Sequence, residues 1–242
     1  MSIKLPDIEA GLRNAVRQYW STLAKQAKKQ RAGKEDHGQR AAVTGGKQMD
    51  GFADLVRDTL LLNGVSEQDI HQRKKAIPGF FRPTKDWDLL VVHKGHLLAA
   101  VEFKSHRGPS FGNNFNNRTE EALGIASDIW TAYREGAFGH DGVKPWLGWI
   151  MLLEDTAKST TPVKVVEPHF AVFPEFRNTS YAERYQIQYR KLKLEKLYDG
   201  AALVMAPESG KGIYSEPLAD LSMRRFLASL AGHVASTLVS MK

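Results

Sequence analysis

Trp87-Asp88-Leu89-Leu90-Val91-Val92-His93-Lys94-Gly95-His96-Leu97-Leu98-Ala99-Ala100-Val101-Glu102-Phe103-Lys104-Ser105 is the stretch on which the fold turns. Leu89 to Val92 and Leu97 to Val101 are apolar runs of strand length, and His93-Lys94-Gly95-His96 between them is polar and carries a glycine. The pair therefore reads as an antiparallel hairpin. Side chains alternate across a strand, so Glu102 and Lys104 project from one face while Val101 and Phe103 enter the core from the other. Asp88 opens the first strand and Glu102 lies near the end of the second, which brings two acids and one amine together.

Outward from the hairpin, the spacing of Met49, Phe52, Val56 and Leu60 predicts a helix over about 47–62, stopped at Asn63-Gly64. Ser66 and Asp69 open a short further turn, and Ile70 to Ile77 reads as a strand. Beyond the hairpin, the Gly- and Asn-rich segment Gly108 to Asn117 reads as a loop, Thr119 to Glu135 as a helix stopped by Gly136, and Trp146 to Leu153 as a strand buried on both faces. The order α-β-β-β-α-β describes an α/β fold, a mixed sheet flanked by helices over about 47–155. Helical additions are expected at both ends. The first starts at Asp7 with Ile8, Leu12, Val16, Tyr19, Trp20 and Leu23 at helical spacing. At the other end, a Ser180/Glu183 capping box opens a helix to about Tyr198, a strand covers Ala201 to Ala206, and a last helix spans Leu218 to Leu238.

The 242 residues suit a single domain over 1–242. Absence of cysteine excludes disulfides, a cysteine zinc site and a thiol nucleophile, and suits a reducing cytosol. Met1 to Asp7 has no signal-like apolar region, and no stretch reaches the ~18 apolar residues of a membrane helix, so the expectation is a cytoplasmic protein with no membrane partner. Thirty-four Lys and Arg against 27 Asp and Glu give +7, which favours polyanions. Lys25, Lys28, Lys29, Arg31, Lys34 and Arg40 form a basic segment that fits either a run along phosphates or a solvated helix end.

Charges at the ends of such apolar strands are costly unless compensated. A divalent cation held by Asp88 and Glu102 is one compensation, and all-oxygen donors point to Mg²⁺. Asp50, near the start of the second helix, is the candidate third ligand; an ordinary acid favoured by the helix dipole is the alternative. Lys104 would stand beside the attacking water and the charge developing on a phosphate. Glu102-Phe103-Lys104 is the only acid-x-Lys triplet in the chain, and a surface salt bridge between Glu102 and Lys104 is the competing reading. Asn113, Asn114, Asn116, Asn117 and Arg118 carry side chains that pair bidentately with adenine and guanine edges, although Asn also suits turns and helix caps. Arg82 and Lys85 are further candidate phosphate or base ligands. His93 and His96 lack metal-ligand spacing, and Ala41 to Gln48 departs from a phosphate-binding loop at both ends.

Phe80-Phe81-Arg82-Pro83-Thr84-Lys85-Asp86-Trp87-Asp88, Ala99-Ala100-Val101-Glu102-Phe103-Lys104-Ser105 and Gly108-Pro109-Ser110-Phe111-Gly112-Asn113-Asn114-Phe115-Asn116-Asn117-Arg118-Thr119-Glu120-Glu121 closely resemble the XhoI family of type II restriction endonucleases. The resemblance extends to segments near 45–52, 130–139 and 231–235. It implies a restriction-endonuclease-like core of the PD-(D/E)xK type, catalytic residues Asp88, Glu102 and Lys104, Mg²⁺, a homodimer on double-stranded DNA, cleavage of CTCGAG with 5′ overhangs, and a cognate DNA methyltransferase as functional partner. Residues 1–46 and 156–242 would then serve DNA binding and dimerisation. Trp87 stands where that motif has proline. A nuclease-fold DNA-binding or repair protein without sequence specificity, and a nucleic-acid packaging module using the basic segment, are the competing functions.

Overall fold

A computed structural model describes residues 2–31, 47–72, 76–139 and 143–241. Helix α1 (Ile8–Arg31) begins where Asp7 caps it, the Asp7 Oδ1 accepting from the Ala10 amide at 3.0 Å. A 3₁₀ turn (Lys47–Met49) leads into α2 (Asp50–Leu62). The strands are β1 (Ile70–His71), β2 (Ala76–Ile77), β3 (Lys85–Asp86), β4 (Leu89–His93), β5 (His96–His106), β6 (Trp146–Glu154) and β7 (Gly200–Ala206). Helix α3 (Phe111–Arg134) links β5 to β6, and the short α4 (Ala157–Thr160) and longer α5 (Tyr181–Leu194) link β6 to β7. Helix α6 (Met223–Ser240) ends the chain.

Five strands form one sheet in the order β1-β4-β5-β6-β7. Strands β4 and β5 are the expected antiparallel hairpin, with Leu89 opposite Val101 and a turn at Lys94 (φ 49°) and Gly95 (φ 82°). A bulge between Val91 and Val92 absorbs one residue. Strands β6 and β7 add on in parallel, so β5-β6-β7 is the buried half of a mixed sheet. Every residue from Trp146 to Leu153 is buried, as its continuous apolar run requires.

Two helical layers cover the sheet. One consists of α1, α2 and α6, packing Leu12, Val16, Phe52, Val56 and Leu230 against Leu89, Val101, Phe103 and Ile150. On the opposite face, α3 and α5 pack Ala122, Ile125, Ile129, Tyr185 and Tyr189 against Ala100, Trp149, Met151 and Leu203. The first layer closes over a register pair of glycines, Gly148 and Gly200, on which the Trp146 indole lies; a Cβ on either would come within 2.4 Å of that ring. Among the described residues no helix is long and apolar enough to cross a membrane.

Three expectations are revised. The segment read as one strand over Ile70 to Ile77 is two short strands in different sheets, β1 at the edge of the main sheet and β2 paired with β3 in a small hairpin. The mixed sheet expected over about 47–155 reaches further, because β7 supplies the fifth strand and α6 a covering helix. The Asn-rich loop is helical: α3 starts at Phe111, because Phe111 and Phe115 extend the apolar stripe Ala122-Ile125-Ile129 upstream and anchor the first turns among His106, Tyr181 and Tyr185. Lys34 and Arg40 of the basic segment, and most of Ala41 to Gln48, lie outside the described residues.

Candidate active site

The hairpin register places Asp88 and Glu102 on adjoining strands. Asp88 precedes β4 by one residue, and its Oδ2 accepts from the Phe103 amide at 2.8 Å, next to Glu102 on the chain. Trp87, in the position where proline was expected, is 1% exposed and packs into the core between sheet and α3, which fixes the start of the strand. Glu102 is also 1% exposed, and neither of its carboxylate oxygens is left without a cation. Lys104 Nζ reaches Oε2 at 2.7 Å, and Lys85 Nζ, entering from β3, reaches Oε1. The two-residue spacing from Glu102 to Lys104 puts both on the face covered by α3 and α5, as alternation demands.

Helix α3 supplies a residue that the sequence reading missed. Glu121 Oε1 lies 2.7 Å from Lys104 Nζ, and its other oxygen pairs with Arg118 one turn earlier. The signal available was an acid flanking the apolar stripe of the helix that follows the acid-x-Lys strand. The resulting chain of charge runs Lys85, Glu102, Lys104, Glu121, Arg118, with Asp88 beside Glu102.

Burial raises the Glu102 carboxyl and Asp88 adds repulsion, while the Lys104 and Lys85 ammonium groups oppose both without cancelling them. Burial likewise lowers Lys85, against the attraction of Glu102. At Lys104 burial works in the same direction, but Glu102, Glu121 and Asp88 outweigh it and the ammonium is held above its ordinary range. Glu121 is pushed up by burial and drawn down further by Lys104 and Arg118, ending low. The arrangement thus keeps Lys104 protonated between two carboxylates.

The other sequence-predicted residues divide. Arg118 joins the cluster. Asn113, Asn116 and Asn117 are exposed on the first turns of α3 and Asn114 is half-buried on the stripe that leads to Arg118 and Glu121. Lys85 reaches into the cluster: its side chain is 12% exposed, bonded to Glu102 and the Asp86 carbonyl and set 4.4 Å from the Trp87 ring centroid. Arg82 Nε pairs at 2.6 Å with the buried Asp128 of α3, whose other oxygen accepts from the Phe80 and Phe81 amides. Asp50 is not brought to the cluster: it is exposed, in the first turn of a helix on the other side of the sheet.

Asp88 and Glu102 offer hard oxygen donors on adjoining strands, and the two ammonium groups on Glu102 mark a position that attracts positive charge. The donor set therefore fits a hard divalent cation. Among the described residues no three acidic, histidine or cysteine side chains are gathered as a ready cage, so waters and substrate oxygens would complete the shell.

The family model for restriction endonuclease XhoI matches residues 28–216. The chain is 55% identical over 216 residues to the type II restriction enzyme BstVI of Geobacillus stearothermophilus, covering 86% of this chain and 96% of that protein. It is 50% identical over 173 residues to AbrI of Azospirillum brasilense, covering 70% and 77% of the two chains. To XhoI of Xanthomonas vasicola it is 42% identical over 198 residues, covering 81% and 79%. Both relatives are likewise type II restriction enzymes. No solved structure matches the chain.

Proposed function

Because the chain belongs to the XhoI restriction endonuclease family, whose members are hydrolases acting on DNA, we propose that it is a Mg²⁺-dependent type II enzyme cleaving double-stranded DNA at CTCGAG to leave 5′ overhangs. The observation that carries this reading is the meeting of Asp88, Glu102 and Lys104 on two neighbouring strands inside the matched region. Asp88 and Glu102 would hold the cation, which when bound supplies positive charge to the phosphate and makes water a stronger nucleophile. Lys104, fixed between Glu102 and Glu121, orients the attacking water by hydrogen bonding and offsets the charge of the pentacovalent phosphate. Glu121 holds the ammonium in place and is itself held by Arg118.

Asn113, Asn114, Asn116 and Asn117 lie on the same helix and supply amides for base edges, with Arg118 at the boundary between recognition and chemistry. Arg82 borders that helix on an exposed loop suited to a phosphate. A palindrome is read by a two-fold pair of subunits, each cutting one strand, so the working form is a homodimer assembled through the amino- and carboxy-terminal additions. A cognate methyltransferase in the same cytoplasm protects the host's own sites.

A plasmid with one CTCGAG site, incubated with protein and Mg²⁺, is expected to give a single linear product. A smear, or no product, would refute site-specific cleavage. Lys104→Ala is expected to bind a CTCGAG duplex while cleaving it at least about a hundredfold more slowly, the range for loss of one charge-stabilising donor. Undiminished cutting by that variant removes Lys104 from the chemistry.

A further inference from the structure

Lys85 has a different standing from Lys104, although both ammonium groups sit on Glu102. Lys104 has a second carboxylate, Glu121, at 2.7 Å. Lys85 has Glu102 as its only ion-pair partner among the described residues, supplemented by the neutral Asp86 carbonyl at 2.8 Å and the Trp87 ring. The two lysines also stand on different supports. Lys104 belongs to the long central strand β5, which pairs with β4 as far as Val101 and with β6 from Ala99 to His106, Lys104 itself standing opposite Met151. Lys85 comes from the two-stranded β2–β3 hairpin, paired only through Ala76–Asp86 and Ile77–Lys85 and fastened near its tip by Asp128.

A carboxylate that is 1% exposed with both oxygens engaged has no room for a divalent cation until one ammonium leaves, since the cation and the ammonium repel and compete for the same lone pairs. The group with no second carboxylate at ion-pair distance, on the peripheral hairpin, is the one whose departure costs less. The proposed substrate provides its next partner, because a phosphodiester brings negative charge to the same place.

We propose that Lys85 is an exchangeable counter-ion: it neutralises Glu102 in the free enzyme, and when DNA and the divalent cation arrive together it passes from Glu102 to a DNA phosphate. Lys85 is then a positioning residue that makes cation and DNA binding mutually dependent, because each ligand removes an obstacle to the other. The inference rests on the assignment of the cation to Asp88 and Glu102.

Calcium binding to the protein tests it by isothermal titration calorimetry, with and without a CTCGAG duplex. Lys85→Met is expected to raise calcium affinity of the DNA-free protein at least about tenfold, equivalent to 1.4 kcal/mol, and to shrink by a similar factor the enhancement that DNA gives the wild type. Lys85→Arg, which keeps the charge, is expected to bind calcium as weakly as the wild type does without DNA. Circular dichroism establishes that each variant is folded. Calcium binding that is abolished by Glu102→Gln but is the same in wild type and Lys85→Met overturns the exchange and leaves the cation assignment standing. Binding indifferent to Glu102→Gln overturns both.

Discussion

Asp128→Ala offers a test of how the hairpin that carries Lys85 is held. The Asp128 carboxylate is 4% exposed and accepts three hydrogen bonds, from the Phe80 amide at 2.8 Å, the Phe81 amide at 2.7 Å and Arg82 Nε at 2.6 Å. Bonds to a charged group contribute about 1.5–3 kcal/mol each. The sum is an upper bound, because the Arg82 side chain is 42% exposed and its pair is weakened by water. The two amides also regain water once released, given that Phe80 and Phe81 are 53% and 70% exposed. A local loss of about 3 kcal/mol results, on the order of a hundredfold in the opening equilibrium of the hairpin. Hydrogen exchange followed over residues 76–86 measures it, with the β5 and β6 amides as internal reference. Unchanged protection of the hairpin, or a loss shared equally with β5 and β6, would refute the reasoning. Burial pushes the Asp128 carboxyl up, but Arg82 and the two amides outweigh it and its folded value is lowered. The contribution is therefore present above the ordinary aspartate range near ~3.9 and is lost only as pH falls through the lower folded value.

Glu121→Gln removes one of the two charges on Lys104 and the carboxylate partner of Arg118. It is expected to lower single-turnover cleavage about tenfold with less change in DNA affinity, and an unaltered rate contradicts the role given to Glu121. His106 is 2% exposed and is pushed down to about 4 by burial, with Arg118 adding to the effect. The unfolded chain takes up that proton below about 6.5 and the folded one refuses it until about 4, so stability falls as pH drops through this window, by about 3 kcal/mol. Urea unfolding against pH should show that slope reduced in His106→Phe, and identical slopes would rule it out. Gly148→Ala drives a methyl into Trp146 and Phe226, with ideal contacts of 2.4 and 2.8 Å, and is expected to cost about 1–3 kcal/mol in thermal or chemical unfolding. A variant as stable as the wild type would mean that the indole moves aside freely.

The hairpin was legible because its two apolar runs are interrupted by one polar, glycine-bearing turn, and because the parity of Val101, Glu102, Phe103 and Lys104 leaves one choice of face. The Ser180/Glu183 capping box was legible for a similar reason: both of its reciprocal bonds form within four residues. Local chemistry sufficed in both cases. The start of α3 was not legible, since four asparagines suggest turns and only the distant rings of His106, Tyr181 and Tyr185 make Phe111 and Phe115 an anchor. Glu121 joins Lys104 and Lys85 joins Glu102 through contacts between elements, and spacing along one strand carries no information about either. The placement of Asp50 was not legible either, because its helix approaches the sheet from the side opposite to Glu102, a choice that sequence periodicity does not make.

The helical form of the asparagine segment turns it into a ruler. Asn113 and Asn117 are separated by four residues of α3, about 6 Å of axial rise, whereas successive bases along a strand are stacked about 3.4 Å apart. On the proposed reading, the amides keep a fixed pitch against the duplex and cannot adjust one at a time. Exchanging a single asparagine would then relax one letter of the target. Inserting a residue ahead of Phe115 would instead turn the asparagines before it by about 100° relative to those after it and scramble the word as a whole.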